Sequence, residues 1–305
     1  MRDAFIARLC QHAKEDPSIF LITGDLGFKV LDEYQANFPK QFLNAGVAEQ
    51  NMTGIATGLA LSGKKVFTYS IANFVSIRCL EQIRNDVLYH DANVNIVCIG
   101  GGFSYGSLGM SHHATEDIGI LRTFPNLEIV VPCSLWEARE ATTAIANSPC
   151  PSYLRIDKSH VEEDPNERFI LGKARILREG TDISIIGAGG ILAEAIEAAK
   201  ELEKSGISTR ILSMHTIKPI DKEAIFNAAK ETKGIISLEE HTVEGGLGSI
   251  IAETLLEAGV NPQIFHRIGL RDGFSSIVGS QSYLRKRYHM DSATIVKVIK
   301  EKLKC

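Results

Sequence analysis

Glu49 is the one acid in the segment 42–60, whose other residues are apolar, small or neutral. No cation in that segment can therefore hold its carboxylate in an ion pair. Burying an unpaired carboxylate is costly, so an acid kept in such surroundings points to proton-transfer chemistry. The alternative is structural, because a Glu near the start of a helix also complements the positive end of the helix dipole. The pattern by itself leaves both roles for Glu49 open.

Two adjacent histidines, His112 and His113, lie in the segment 100–117, which is too rich in glycine to form a helix or a strand. Loops that follow parallel strands are where sites lie. An imidazole titrates near neutral pH and suits proton transfer or polarisation of a carbonyl group. The alternatives are a solvated turn or a metal site, and no residue at a suitable spacing supplies a third ligand. We predict no metal site in this chain.

The elements that must position these residues alternate between short β-branched runs and longer helical patterns. Strands are predicted over 19–23, 66–69, 94–99, 128–131, 152–156, 183–186, 208–212 and 234–238. This alternation favours parallel sheets that helices cover on both faces. We predict an α/β protein with two doubly wound domains, a mostly parallel-sheet domain over 1–160 and a smaller α/β domain over 181–305. A polar stretch without apolar periodicity predicts a linker over 161–180.

The 305 residues are 44% hydrophobic and 23% charged with a formal net charge of -4, which is typical of a soluble globular protein. Mild acidity argues against a nucleic-acid groove, and no run of about twenty apolar residues predicts a membrane span. The first eleven residues lack the apolar core of a secretory signal. The cysteines form no CxxC pair and read as buried, reduced side chains: Cys10, Cys79, Cys98, Cys133, Cys150 and Cys305. We therefore expect a cytoplasmic protein that binds neither nucleic acid nor a membrane.

The motif GVAEQNM at residues 46–52 resembles the pyrimidine-domain signature of transketolases and of 1-deoxyxylulose-5-phosphate synthases. The resemblance implies that Glu49 hydrogen-bonds the N1′ atom of the aminopyrimidine ring of thiamine diphosphate and so helps to activate this cofactor. Residues 68–76 are similar to the family segment whose aromatic residues stack on that ring, so Phe74 is the stacking candidate, with core packing as the alternative. Ile71 stands where transketolases have another aromatic residue. Asp25, in a turn that resembles the family's Asp-Leu turn, completes the implied cofactor contacts.

The resemblance also implies a substrate site. His112 matches a family histidine that bonds the substrate near its reacting carbonyl group, which gives it a catalytic role, and His113 stands beside it where glutamine is common. Arg2 and Arg155 match family arginines, and their N–H forks could together clamp an anionic group. Leu108 replaces the usual Asp that contacts a sugar hydroxyl, so the substrate need not be an ordinary pentose phosphate. Sugars or sugar phosphates are the implied substrate class.

One part of such an enzyme is absent from the sequence. Thiamine-diphosphate enzymes hold the diphosphate through a divalent cation bound by a Gly-Asp-Gly segment, and the 305 residues contain none. Residues 238–249 are similar to the transketolase C-terminal domain, so the resemblance covers nearly the whole chain but only the second half of a full transketolase. It implies a separate N-terminal subunit that binds the diphosphate with Mg²⁺ or Ca²⁺. It also implies an α2β2 heterotetramer, with self-association of this chain.

The favoured function is that of the C-terminal subunit of a split transketolase-like enzyme, which is active only with its diphosphate-binding partner. It would transfer a two-carbon ketol unit from a ketose to an aldehyde. Two other activities on this fold stay open: the β subunit of a 2-oxoacid dehydrogenase, and a decarboxylating transferase similar to deoxyxylulose phosphate synthase. A non-catalytic assembly subunit is the third alternative, because function resides in sites and not in folds. The joint presence of the site residues named above argues against this last alternative.

Overall fold

The computed structural model describes residues 1–163, 165 and 167–304, and its strands form two sheets. The strands are β1 Ile19–Thr23, β2 Phe42–Asn44, β3 Lys65–Ile71, β4 Val94–Ile99, β5 Glu128–Val130, β6 Ser152–Ile156, β7 Arg175–Arg178, β8 Ile183–Gly187, β9 Thr209–Ser213, β10 Thr216–Lys218, β11 Gly234–Thr242 and β12 Ile264–Leu270. Most are short runs of β-branched and aromatic residues, which fit a pleated and buried surface.

Helices connect the strands and cover the sheets. They are α1 Arg2–Glu15, α2 Asp32–Asn37, α3 Glu49–Leu61, α4 Ala72–Val75, α5 Leu80–Gln82, α6 Asp117–Leu121, α7 Leu135–Asn147, α8 Leu192–Glu203, α9 Lys222–Glu231, α10 Leu247–Glu257, α11 Gln281–Arg287 and α12 Ser292–Leu303. Side-chain caps begin several of them, as where the Ser134 hydroxyl accepts the N–H of Glu137 over 3.0 Å at the start of α7. Short 3-10 turns occur at Pro39–Gln41, Ile77–Cys79, Gly106–Leu108 and Met110–His112, and a π-helical turn at Ile83–Leu88.

The first sheet has seven strands in the order β10-β5-β6-β4-β3-β1-β2. All neighbouring pairs are parallel except β10 with β5. Every residue of the central strands β4 and β6 is buried, as expected for parallel strands that helices cover on both faces. Successive residues point to opposite faces, so Leu21 packs with Phe5 of α1 while Ile22 joins the core that contains Met52 of α3.

The second sheet has five strands in the order β12-β11-β8-β9-β7. Its strands are parallel except β7, which pairs antiparallel with β9. The sheets do not follow the order of the chain strictly, because β10 comes after β9 of the second sheet but pairs with β5 at an edge of the first sheet. The predicted linker 161–180 contains β7, so the second sheet begins inside that range; Asp164 and Asn166 of the linker lie outside the described residues.

The structure confirms the predicted fold class, a two-domain α/β protein whose larger sheet is mostly parallel. Cys79, Cys98 and Cys133 are buried and Cys10 and Cys150 are partly exposed, while Cys305 lies outside the described residues. Within the described part of the chain, no helix is both long enough and apolar enough to cross a membrane.

Candidate active site

The candidate site lies at the edge of the first sheet where its parallel strands end. The residue range 24–31 follows β1, α4 follows β3, and the glycine-rich loop 100–116 follows β4. The carboxyl ends of parallel strands meet at one edge of a sheet, and ligands of α/β proteins bind in the crevices there. Helix α3 begins at this edge, directly after the turn that follows β2. The topology therefore gathers segments that are far apart in sequence.

Glu49 is the first residue of α3, and its side chain is only 3% exposed. The start of a helix favours a carboxylate because the first N–H groups have no partner within the helix. Gly24 lies against this side chain, since a Cβ atom at residue 24 would be 3.3 Å from Glu49 Cγ. The glycine thus lets the loop after β1 approach Glu49 closely.

The segment 42–60 supplies no cation to Glu49, but the folded chain brings one from another segment. Nη1 of Arg78 donates to Oε2 of Glu49 over 2.8 Å. The same guanidinium lies over the Phe74 ring, with its central carbon 4.2 Å from the ring centroid, which is a cation–π contact. The sequence does not reveal this partner, because Arg78 comes from another connection, 29 residues further along the chain.

Phe74 and His112 meet at this edge. Their ring centroids are 5.1 Å apart in an edge-on arrangement. Asn73 links the two segments, because its side-chain amide donates to the backbone carbonyls of Ser111, over 3.1 Å, and of His113, over 2.8 Å. Nothing in the sequence pattern pointed to Asn73. Ile71 ends β3 and immediately precedes α4, so it lies at the same edge.

The His112 imidazole is partly buried, and its Nδ1 lies 3.0 Å from the Ser111 hydroxyl. Burial, and secondly the neighbouring His113, lower the pKa of His112 below the ordinary histidine value. The ring is therefore mostly neutral at pH 7, with one nitrogen that donates and one that accepts. Such a ring can polarise a carbonyl group or move a proton at a substrate oxygen.

His113 does not face the site as the sequence-based assignment requires. Its side chain is 2% exposed, Nε2 lies 3.1 Å from the Gly106 carbonyl and Nδ1 lies 2.6 Å from the Ser275 hydroxyl. Both ring nitrogens are thus occupied, one of them by the second domain. His113 fixes the glycine-rich loop, and its ring nitrogens are not free to bind a substrate.

Arg155 is also turned inward, so the clamp predicted for Arg2 and Arg155 does not form. Its side chain is 3% exposed, and its Nε donates to Asp117 Oδ2 over 2.8 Å. Its Nη2 donates to the carbonyls of Ala114, over 2.6 Å, and Glu240, over 3.1 Å. Burial alone would raise the pKa of Asp117, but Arg155 and its neighbours hold that pKa below the ordinary value. Arg155 is a structural cation beneath the loop.

The second domain holds the glycine-rich loop through Glu240. One carboxylate oxygen accepts the N–H of Phe103 over 2.5 Å, and the other pairs with Arg285. Gly102 has a φ of +60°, and a Cβ atom there would collide with the Glu240 carboxylate, so this position requires glycine. Sequence reasoning missed Glu240, because its partners lie more than forty residues away in either direction.

Arg2 and Asp25 are both at the exposed rim. Arg2 forms an ion pair with Asp3 over 2.8 Å, and it lines a cavity of about 320 Å³ together with Gly100, Tyr105 and Lys158. Asp25 has a φ of +57°, and its carboxylate and N–H both bond the side-chain amide of Asn44 at 3.0 Å. This pair ties together the ends of β1 and β2 beside Glu49.

A cluster of Cys133, Glu137 and Glu163 is the one group of potential metal ligands among the described residues. Arg175 already fills it, since its Nη1 lies 2.6 Å from Glu137 and 2.8 Å from Glu163. A guanidinium at this centre supplies the positive charge that a cation would bring. The cluster is therefore a structural ion network at the junction of the domains.

Comparison with known proteins places these features in context. Residues 1–163 match the family described as transketolase, pyrimidine binding domain, and residues 172–295 match transketolase, C-terminal domain. An apulose-4-phosphate transketolase subunit of Phocaeicola vulgatus is 40% identical over 307 residues, which cover 99% of this chain and 97% of that protein. The 6-deoxy-6-sulfo-D-fructose transketolase subunit SqwH of a Clostridium species is 35% identical, with 99% and 94% covered.

A solved structure has the same overall fold over almost the whole chain. It is described as a split gene transketolase in an inactive beta4 tetramer, and it is 33% identical to this chain with a TM-score of 0.87. The superposition covers 99% of this chain and 97% of that one. Both domains therefore have counterparts in one solved chain of nearly the same extent.

Proposed function

This chain belongs to the transketolase family, and we propose that it is the cofactor-activating subunit of a split, thiamine-diphosphate-dependent transketolase. The enzyme transfers a two-carbon ketol unit from a ketose or ketose phosphate to an aldehyde. The observation that carries the proposal is the meeting of a buried carboxylate, an aromatic ring and a neutral imidazole at one sheet edge, namely Glu49, Phe74 and His112.

The residues present fit one half of the cofactor. Glu49 offers a carboxylate oxygen, Phe74 offers a ring face and Ile71 offers apolar surface, which together suit a flat aminopyrimidine. No Gly-Asp-Gly segment occurs in the sequence to bind a metal diphosphate. The diphosphate and its Mg²⁺ or Ca²⁺ are therefore assigned to a partner subunit. When bound, thiamine diphosphate supplies the carbon nucleophile that carries the two-carbon unit.

Each candidate site residue has its own role in the proposed reaction. Glu49 holds a proton at the pyrimidine N1′ atom, and Phe74 orients the ring against it. Asp25, which the sequence predicts as a cofactor contact, is bonded to Asn44 and in this proposal braces the loop beside Glu49. His112 donates a proton to, or accepts one from, the substrate oxygen at the reacting carbon. Exclusion of water by the partner surface strengthens these contacts, because the local dielectric constant falls.

Arg2 is the residue that we assign to the far end of the substrate. It lines the cavity of about 320 Å³ beside the loop after β4, where Lys158 is a second cation and Asp3 and Asp157 are carboxylates. A guanidinium binds phosphate or another oxyanion with paired N–H groups. Since Arg155 is committed to Asp117, the anionic end of the substrate depends on Arg2 and not on an arginine pair.

We further propose an α2β2 assembly in the cytoplasm, in which the second subunit carries the diphosphate-binding domain. The relatives that are named as transketolase subunits support a partner, and the beta4 tetramer supports self-association of chains of this kind. That tetramer is described as inactive, which agrees with a chain that needs a partner to complete its site.

A transfer assay tests this function. The chain is assayed alone and with a diphosphate-binding transketolase subunit, using a panel of ketose and 2-oxoacid donors and aldehyde acceptors with thiamine diphosphate and Mg²⁺. We expect two-carbon transfer in the mixture and none from the chain alone. Release of carbon dioxide from a 2-oxoacid by the mixture would show that the enzyme is a decarboxylating transferase or dehydrogenase and not a ketol transferase. No turnover with any donor would favour a non-catalytic assembly subunit.

A further inference from the structure

Arg78 occupies both contacts that the proposed function gives to the pyrimidine ring. Its Nη1 donates to Glu49 Oε2 over 2.8 Å. Its guanidinium carbon lies 4.2 Å from the centroid of the Phe74 ring. One side chain of this protein therefore covers both the carboxylate oxygen and a face of the aromatic ring.

The guanidinium resembles an aminopyrimidine in shape and in the groups that it presents. It is planar, it stacks on aromatic rings, and its edge carries N–H donors that pair with a carboxylate. A flat heterocycle that stacks on Phe74 and bonds Glu49 presents the same combination. The two groups cannot occupy the same face and the same oxygen together, so they compete.

The surroundings of the pair allow Arg78 to leave while Glu49 stays. The Arg78 side chain is 45% exposed, whereas that of Glu49 is 3% exposed. A long side chain that is half in water can rotate its charged end outward and remain hydrated. The Arg78 backbone stays anchored, because its carbonyl accepts the Gln50 amide over 3.2 Å. A cavity of about 460 Å³ adjoins the side chain and is lined by Asn73, Ile77, Met110 and Phe274.

We infer that Arg78 is an exchangeable occupant of the pyrimidine site, which keeps Glu49 paired in the free chain and competes with the cofactor for Glu49 and Phe74. The inference rests on the proposed function of that site. Without Arg78 the buried Glu49 carboxylate would have no cation, which destabilises the free chain. The cofactor must break the pair to bind, so the pair weakens the affinity for cofactor.

Calorimetry on the assembled enzyme tests the competition. Thiamine diphosphate with Mg²⁺ is titrated into the mixture of both subunits, with Arg78→Met and with the control Arg84→Met. We expect the dissociation constant to fall about tenfold in Arg78→Met, which is the scale of one hydrogen bond to a charged group. Arg84 is exposed and bonds Asn85, so its variant should bind like the wild type. Arg78→Lys, which keeps the charge without the planar fork, should lie between the two.

Unchanged or weaker binding by Arg78→Met, with normal binding by the wild type, would overturn the inference. Failure of the wild-type mixture to bind cofactor would instead contradict the proposed function, so the two failures are distinguishable.

Thermal unfolding of the isolated chain gives a readout that needs no cofactor. We expect Arg78→Met to lower the Tm by about 2–4 °C, and the double variant Glu49→Gln/Arg78→Met to recover most of that loss, because glutamine needs no cation. If Arg78→Met were as stable as the wild type, the pair would not support the free chain and the inference would fail.

Discussion

Two arginine–carboxylate pairs lie near the same edge of the first sheet, at equal distances but in different surroundings. Arg155 and Asp117 are 2.8 Å apart with side chains 3% and 0% exposed. Arg78 and Glu49 are also 2.8 Å apart, but the arginine is 45% exposed. In the first pair both ions have lost their water, whereas in the second only the carboxylate has.

This difference in burial separates a structural pair from a functional one. Arg155 makes further hydrogen bonds to the Ala114 and Glu240 carbonyls, so its removal would leave both a buried charge and unpaired backbone groups. Arg78 is held by one carboxylate oxygen and a ring face, and water can replace both. The buried pair fixes the loop that carries His112, and the half-exposed pair keeps the Glu49 carboxylate paired until a ligand replaces Arg78.

The largest expected effect is on turnover and comes from Glu49. Glu49→Gln keeps the size of the side chain but cannot hold a proton at the pyrimidine ring, so turnover of the assembled enzyme should fall about 10²- to 10⁴-fold. Steady-state kinetics with the partner subunit measures this change, with the exposed Glu81→Gln as the control. Turnover within a few-fold of the wild type would mean that the Glu49–Arg78 pair is structural as well, and the contrast between the two pairs would no longer hold.

Arg155→Met should have the largest effect on stability. It leaves Asp117 buried without its cation, which should lower the free energy of unfolding by about 3–5 kcal/mol in denaturant titrations. Lys200→Met, which breaks an exposed pair with Glu197, should change it by less than about 1 kcal/mol. The pKa of Asp117 is lowered in the folded chain, so the Asp117–Arg155 pair stabilises the wild type fully above the unfolded-state Asp pKa of about 3.9. This stabilisation should be lost as the pH falls below that value. Absence of this part of the pH dependence in Arg155→Met would support the pair as its source. An Arg155→Met chain as stable as the wild type would contradict it.

His112→Ala should lower turnover about 100-fold while changing cofactor affinity much less, because His112 acts on the substrate. The lowered pKa of His112 predicts that wild-type activity declines only below the ordinary histidine value of about 6.5, where the ring becomes protonated. Kinetics over a pH series, with His90→Ala as an exposed control, tests both statements. A variant that loses cofactor affinity but keeps its turnover at saturation would make His112 part of the pocket wall.

The smallest effect should come from Phe74→Ala, with about tenfold weaker cofactor binding from the loss of ring stacking. Calorimetry on the assembled enzyme measures it, and Tyr89→Ala serves as the control because Tyr89 is 84% exposed. Phe74 also supports the competing Arg78 side chain. Phe74→Ala should therefore weaken cofactor binding more in the Arg78→Met background, where only the cofactor loses the ring contact. Unaltered affinity in Phe74→Ala would remove the stacking role.

Local sequence patterns predicted those parts of the molecule that depend on local properties. The apolar runs of β1, β4 and β6 have the predicted bounds, because central parallel strands are buried on both faces and stand out as continuous apolar segments. The motif around Glu49 likewise indicated a site through one isolated acid. Strand β10 could not be foreseen, because it leaves its own domain to pair with β5 and only tertiary contacts decide that.

The sequence also could not predict the direction in which the candidate side chains point. Arg155 and His113 have the residue types that bind substrates, but tertiary contacts turn both of them inward. Asn73 lies at the site within the segment 68–76, which the sequence marked only for its aromatic residue, and Arg78 reaches Glu49 from the turn that follows. Their roles depend on the approach of α4 to α3 and to the glycine-rich loop, which no spacing in the sequence encodes.

The most direct test of the account is cofactor binding by this chain alone and by its mixture with the diphosphate-binding subunit. Thiamine diphosphate and Mg²⁺ are titrated into each sample by calorimetry under the same conditions. Saturable binding in the mixture and none by the chain alone is the predicted result, since this chain supplies only the pyrimidine half of the site. Tight binding by the isolated chain, or none in either sample, would contradict it.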